Sequence, residues 1–487
     1  MGDESITLRN HPTVLVSQAI ATAVALFVIL NVIDVVESLT KPLILVAVLT
    51  ALVFLYCVAL WRRTMYTFTP TELNVVRDML LTKSDKHIQY TRLASVTVRR
   101  DIFNMIFGTS ALMFNVNSSV NATAAEATLV LKRAEADRLR DELNARIFSK
   151  ETTVETELLE STMILVTNRD VILNAALGQP TGQQLFGLVM LIYAVISLFY
   201  ESSGGLFTAV ILMLVSYILP LISSILKYYN YRVYRVGDTV TVESGMFTHT
   251  RRSFKVNKVN SVRLRSPIFA RLIGRSVLEA EVVGMGEENE NMPILCPLKD
   301  RREVEDLLRR LVPELYFEPE PEHQPRGALK AMVIANIILA AVIVASFWFI
   351  SGYAVEFADT LTPFWSATAL TLLVAVPLLI VILIAGRVVL AQRHRAVCMG
   401  EDSFLIVHGS YDLSVEYINY DKVQYTEVTS GPIGRRFGVS SCSVHMMSSQ
   451  GFRDITSGLF EPGDLERISD EVNARVRDGR YDYRRYL

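Results

Sequence analysis

Cysteine is scarce. The chain has four in 487 residues, none spaced Cys-x-x-Cys, so it carries neither a disulfide framework nor a zinc site. Cys57 lies in an apolar run and Cys296, Cys398 and Cys442 are scattered, as free thiols in a reducing compartment would be. An excess of either charge is missing too. Lys and Arg number 48 against 50 Asp and Glu, a formal net charge of −2. Phosphate backbones require a concentrated basic surface, so nucleic acid is excluded as the main partner. Catalytic signatures are also missing: there is no Gly-x-Ser-x-Gly, no P-loop and no His-Glu-x-x-His. The seven histidines show no metal-ligand spacing, and Glu287-Glu288-Asn289-Glu290 reads as a solvated loop. No catalytic residue, metal ligand or cofactor is assigned, and the chain is expected not to be an enzyme.

What the sequence has in quantity is apolar length. Thr13 to Val36 and Leu43 to Leu60 are apolar runs, as are Leu185 to Tyr200, Leu206 to Leu226, Ala331 to Ile350 and Phe364 to Ala385. Each approaches the length that crosses about 30 Å of hydrocarbon. They predict six transmembrane helices in three hairpins, with Pro220 and Pro377 as kinks. The hairpin links contain Lys41 and no Arg, whereas Arg62, Arg63, Lys227, Arg387 and Arg393 flank the other ends. That asymmetry places both termini and the segments after each hairpin in the cytoplasm of a multi-pass membrane protein.

The middles of the six runs lack ionisable groups, which transport and proton relay usually need. Asn31 and Asn336 are the polar candidates there, and an interhelical hydrogen bond is the commoner role.

A sixteen-residue motif follows each hairpin, at Leu93 to Gly108, Val259 to Gly274 and Val423 to Gly438. Alternation such as Val262 and Leu264 predicts a strand with one buried face. Apolar residues four apart, as Phe103 and Phe107, predict a short helical turn behind it. Gly108, Gly274 and Gly438 then suit a left-handed helix cap. Each copy closes with an amphipathic helix, as Val304, Leu307, Leu308 and Leu311 show in the second.

The expected domains are an N-terminus (1–12), hairpin one (13–63), module one (64–150) and a linker with an interfacial segment (151–184). Hairpin two (185–227), module two (228–313) and an acidic, Pro-rich, stiff linker (314–328) come next. Hairpin three (329–387), module three (388–477) and a tail (478–487) complete the chain. The fold class is α+β, each hairpin followed by a small β module capped by a helix.

Module two concentrates basic residues: Arg251, Arg252, Lys255, Lys258, Arg263 and Arg265, with Arg271 and Arg275 behind. The first six are the candidate contacts to anionic lipid headgroups or a partner, each well-placed one worth roughly 1 kcal/mol.

Membrane runs feeding a β module with the motif Ser-Val…Ile-Phe…Phe-Gly resemble the bacterial pleckstrin-homology family. Three copies resemble its YdbT-like branch, and Leu8-Arg9-Asn10-His11-Pro12 is similar to the Arg-x-His-Pro opening of that family. The third copy departs from the pattern, with Tyr425-Thr426 for Ser-Val and Pro432 for Ile. The resemblance implies seven strands and a capping helix per module, a smaller single-module relative as partner, and a role in envelope stress or resistance to membrane-active peptides. It does not carry phosphoinositide specificity, because the loop motif for that ligand is not recognisable. The reading is a scaffold binding lipid headgroups or protein, the alternative a small-molecule or lipid transporter built from six spans.

Overall fold

The structure is a computed structural model that describes residues 5–32, 40–78, 83–90, 93–116, 127–147, 164–199, 210, 213–282, 294–358, 363–448 and 451–480. The Thr-rich linker 151–160, the acidic run 287–290 and the tail from 481 lie outside the described residues.

Three units of one plan follow each other. The first is β1 (Ile6–Leu8), α1 (Thr13–Val32), α2 (Thr40–Arg63), β2 (Thr64–Phe68), β3 (Glu72–Asp78), β4 (Lys83–Gln89), β5 (Leu93–Arg100), α3 (Ile102–Ile106), β6 (Thr109–Val116), β7 (Ala127–Lys132) and α4 (Arg133–Ile147). The second is β8 (Ile164–Leu165), α5 (Asn168–Leu177), α6 (Thr181–Phe199), α7 (Leu219–Lys227), β9 (Arg232–Val236), β10 (Thr239–Ser244), β11 (His249–Lys255), β12 (Val259–Ser266), α8 (Ile268–Leu272), β13 (Arg275–Val282), β14 (Ile294–Asp300) and α9 (Arg301–Leu311). The third is β15 (Glu322–His323), α10 (Arg326–Ala358), α11 (Pro363–His394), β16 (Ala396–Met399), β17 (Ser403–His408), β18 (Leu413–Asn419), β19 (Val423–Thr429), α12 (Pro432–Arg436), β20 (Ser441–Ser448), β21 (Gly451–Thr456) and α13 (Pro462–Arg477).

Each module therefore has seven strands, but the first stands apart in sequence. β1, β8 and β15 precede the helices of their unit and return to pair with β2, β9 and β16. Asn10 fastens that return in module one: its Oδ1 accepts the Val130 N–H at 2.7 Å and its carbonyl accepts Trp61 Nε1–H at 2.7 Å. The segment Glu318 to Gln324, inside the expected stiff linker, takes part in that return. It ends in β15, and just ahead of it Tyr316 and Phe317 pack on Tyr417. The supposed interfacial segment Leu173 to Leu177 is α5, which packs on Ala270, Val277 and Leu298 of module two.

The six spans in three hairpins are also corrected. Among the described residues two helices are long and apolar enough to cross a membrane, Arg326–Ser351 within α10 and Val376–His394 within α11. Thr13–Thr22 and Thr181–Ile192 are shorter apolar stretches. Composition fixes how apolar a run is, not how long its helix stays regular. The run Leu206 to Leu226 shows the difference: Leu214–Ile218 is a π turn, and Pro220 sits in the first turn of α7. Proline is comfortable there because its missing N–H has no helical partner to lose. The polar candidates change meaning as well. Asn336 Nδ2–H is spent on the Met332 carbonyl of its own helix, and Asn31's side chain lies outside the described residues.

Alternation places the cores. In module one Tyr66, Phe68, Leu73, Val75 and Ile88 face inward against Val96, Val98, Leu112, Phe114 and Leu129, and α4 adds Ala136, Leu139 and Leu143. Fully burying a side chain of that size is worth about 1.5–3 kcal/mol. α9 and α13 close modules two and three with Val304, Leu308 and Leu311, and with Leu465, Ile468 and Val472.

The motif spacing recurs because one residue serves two elements. Gly108, Gly274 and Gly438 have φ of 65°, 70° and 67°. The carbonyls of Gly108 and Gly274 each accept, at 3.0 Å, the N–H of the first residue of the closing helix, Arg133 and Arg301. The third closing helix begins with Pro462, which has no N–H to offer.

Candidate functional site at the module junctions

The modules are not beads on a string. β5 of module one pairs antiparallel with β11 of module two, and β12 of module two pairs with β18 of module three. Each junction thereby makes a seven-stranded sheet, in the orders β7-β6-β5-β11-β10-β9-β8 and β14-β13-β12-β18-β17-β16-β15. Counted from the motif glycines and from Gly245 and Gly409, the two registers are the same. Val96 opposite Ser253 corresponds to Val262 opposite Tyr417, and Arg100 opposite His249 to Ser266 opposite Leu413.

The six candidate basic residues cluster at these junctions, and none of them is fully exposed. Arg251 and Arg252 stand on β11 opposite Val98 and Thr97. Arg251 Nε lies 2.7 Å from Glu243 Oε1, and its Nη2–H donates to the Tyr234 hydroxyl at 2.9 Å. Lys255 ends β11, and Lys258 lies in the 3-10 turn Val256–Lys258. Arg263 and Arg265 are on β12 and share the buried Glu279. Arg263 Nη2 lies 2.5 Å from Oε2, and Arg265 Nε lies 2.9 Å from Oε1. Burial pushes the Glu279 carboxyl up, but Arg263 and Arg265 outweigh it and hold it below the usual carboxylate range. Behind them, Arg275 reaches Asp170 on α5 at 3.4 Å, and Arg271 donates to the Ser410 carbonyl at 3.3 Å.

Sequence reasoning missed the acidic half of this arrangement. Glu281 and Glu416 are buried beside Glu279, on β13 and β18. Arg453 on β21 reaches both: its Nη1 is 3.2 Å from Glu281 Oε2 and 2.9 Å from Glu416 Oε1. Glu416 also accepts the Ser261 hydroxyl at 2.9 Å, and His408 Nε2 lies 3.1 Å from its Oε2. Burial pushes the Glu416 carboxyl up. Arg453, the His408 hydrogen bond and Arg263 outweigh it and bring it down to about 2. The network spans modules two and three and fixes how they meet. A signal was available: Glu279 and Glu281 alternate within an otherwise apolar strand, Val277 to Val282.

Beside the first junction lies a cleft of about 520 Å³. One wall is the apolar face of α7, with Leu219, Ile222 and Leu226. Arg99, Thr250 and Arg252 from the paired β5 and β11 also line the cleft, with Phe247 and Lys227. The Gly245 turn shapes this edge. Its φ is 115°, and a Cβ there would meet the Thr248 carbonyl oxygen at 1.8 Å. A second cleft, about 310 Å³, separates the base of α10 from β19 and α12.

The short motif helices of modules two and three pack on the helices that precede their modules. α8 packs through Ala270 on Leu173 and Leu177 of α5, and Ile433 and Phe437 at α12 pack on Ala328 and Ala331 of α10. In module one the same element exposes Met105, Ile106 and Phe107, and in module two Leu272 and Ile273. Among the described residues no group of three or more His, Cys, Asp or Glu could hold a metal ion.

The family described as Bacterial PH domain matches three times, at residues 19–147, 170–312 and 328–476. A Bacillus subtilis (strain 168) protein named UPF0699 transmembrane protein YdbT is 18% identical over 328 residues, 60% of this chain and 66% of its own length. No solved structure matches.

Proposed function

The chain belongs to the bacterial PH domain family and carries that domain three times in association with a membrane. From that premise we propose that it is a non-enzymatic scaffold, anchored by the α10–α11 hairpin, that rests on anionic headgroups and presents its joined modules to partners. The cleft between α7 and the first junction carries this reading. It offers the two chemistries a lipid needs side by side, an apolar wall of Leu219, Ile222 and Leu226 and the cations Arg99, Lys227 and Arg252. The exposed Met105, Ile106, Phe107, Leu272 and Ile273 support it, since apolar groups and basic groups together favour an interfacial position.

The hairpin directs the modules to the cytoplasm. Arg326 and Lys330 begin α10 and Arg387, Arg393 and Arg395 close or follow α11, and basic residues are retained on the cytoplasmic side. A role in envelope stress or in resistance to membrane-active peptides follows from the family resemblance.

The test is lipid association of the detergent-purified full chain by native mass spectrometry, with short-chain phosphatidylglycerol and phosphatidylcholine as probes. Phosphatidylglycerol should bind several-fold more tightly, with the difference shrinking as salt rises. Arg99→Gln with Arg252→Gln should cost about 30-fold, at roughly 1 kcal/mol per residue. Equal retention of both lipids, or no effect of the double substitution, overturns the headgroup reading.

A further inference from the structure

The two junctions use two edges of the module, and among the described residues each end of the chain leaves one of those edges over. β5 and β12 are each paired by the fourth strand of the following module, but β19, their counterpart in module three, ends its sheet in the order β19-β20-β21. β11 and β18 are each paired by the fifth strand of the preceding module, but β4, their counterpart in module one, ends its sheet in the order β1-β2-β3-β4. We propose that β19 of one copy of this chain pairs antiparallel with β4 of a second copy, continuing head to tail the junction that the chain already makes twice within itself.

The register follows from the two internal junctions. Counted from the motif glycine, Glu427 falls opposite Lys86, where junction two sets Arg263 opposite Glu416 and junction one sets Thr97 opposite Arg252. Opposite charges meet again, with the signs exchanged between strands. Directly opposed charges of unlike sign stabilise a strand pair, and like ones destabilise it. Thr426 then falls opposite His87 and Val428 opposite Asp85. The charge on β4 does not forbid pairing, since β11 carries Arg251, Arg252 and Lys255 and is paired. Glu427, Lys86 and the neighbouring Tyr425 are all exposed. Contact with the closing helix is no obstacle either: Thr426 bonds Ser469 on α13 as β5 meets α4, and β5 is paired. Because the two edges differ, the contact is heterologous and repeats into a ring or an open filament rather than stopping at two. It is independent of the headgroup reading, for it uses neither the cleft nor the apolar knuckles.

The experiment uses the full chain in detergent, with Cys57→Ser in every version. One tagged population carries Lys86→Cys and a differently tagged one carries Glu427→Cys. A short bismaleimide should join the two tags, and Asp85→Cys, one residue out of register and on the opposite face, should join them much less. Mass photometry should show a ladder growing with concentration. Glu427→Lys or Lys86→Glu alone should weaken association by about 5- to 30-fold, and the two together in one chain should restore it. Slow thiol labelling of Cys442, buried in the module-three core, shows that each variant is folded. Three results overturn the proposal: a monomer at every concentration with no register-specific link; a dimer that stops growing and links Lys86→Cys to itself; or edges filled only by a separate single-module chain co-isolated from native membranes.

Discussion

Replacing Arg453 by alanine removes a guanidinium that two buried carboxylates on two modules depend on. Glu281 belongs to β13 of module two and Glu416 to β18 of module three, and both are at most 1% exposed. Arg263, which faces Glu416 across the strand pair, and Arg265 are already shared with Glu279, so the negative charge left behind is only partly offset. Breaking a buried pair from one side typically costs about 3–5 kcal/mol. Taking about 3 kcal/mol, opening of module three should become roughly a hundredfold more frequent. Cys442 is a native reporter, fully buried on β20 beside the strand that carries Arg453, with its thiol pushed up by burial to about 11. It should react only from opened molecules, so Arg453→Ala should raise its labelling rate by about two orders of magnitude at fixed pH. The triple change Arg453→Met, Glu281→Gln and Glu416→Gln should recover most of the loss, because a neutral, space-filling replacement leaves no orphaned charge. A rate within about threefold of the parent for Arg453→Ala, or a triple variant as labile as the single one, would refute the assignment of the junction to this network.

Four further outcomes are expected. Glu416 lies low in the folded state, about 2 against an ordinary 4.5, so its contribution is complete above about pH 4.5 and is lost as pH falls towards 2. It amounts to about 3 kcal/mol by linkage, and thermal melts between pH 7 and pH 3 should flatten in Glu416→Gln. Valine at Gly108, Gly274 or Gly438 meets no neighbour but is strained at positive φ, which predicts losses of about 1–3 kcal/mol, alike in the three, in denaturant melts. Alanine at Gly245 or Gly409 should cost more, since a carbonyl oxygen lies 1.8 or 1.9 Å from the new Cβ. A membrane-impermeant maleimide applied to intact cells should label none of the four cysteines. After permeabilisation Cys296, Cys398 and Cys442 should still react only on unfolding, being buried, and rapid labelling of Cys296 or Cys442 in intact cells would reverse the proposed orientation.

What the sequence made legible was local. Alternation in Val262 to Leu264, the one-turn spacing from Phe103 to Phe107 and the glycine behind it all report a residue's own few neighbours, and the modules followed from them. The first strands were invisible because Ile164–Leu165 and Glu322–His323 are too short to show any period. The junctions were invisible for another reason. Pairing of Arg252 with Thr97 joins residues far apart in the chain, and no local pattern encodes it. The basic cluster misled in part: Arg263 and Arg265 read as exposed cations until Glu279, on the next strand, was seen to take both. Among the described residues two helices, not six, are long and apolar enough to cross a membrane, and hydropathy does not register a π turn such as Leu214–Ile218.

The separation of β1, β8 and β15 from the rest of their modules sets an order of events during synthesis. Glu322–His323 leave the ribosome before α10 and α11, and their partner Ala396–Met399 leaves after both. Until both helices have been made and the chain has turned back, module three has its first strand and nothing to lay it against. Closing the module therefore waits for the complete hairpin. An isolated soluble module cut at the start of β16 would lack its seventh strand, whereas one with residues 320–325 fused ahead of β16 through a short flexible bridge would regain it.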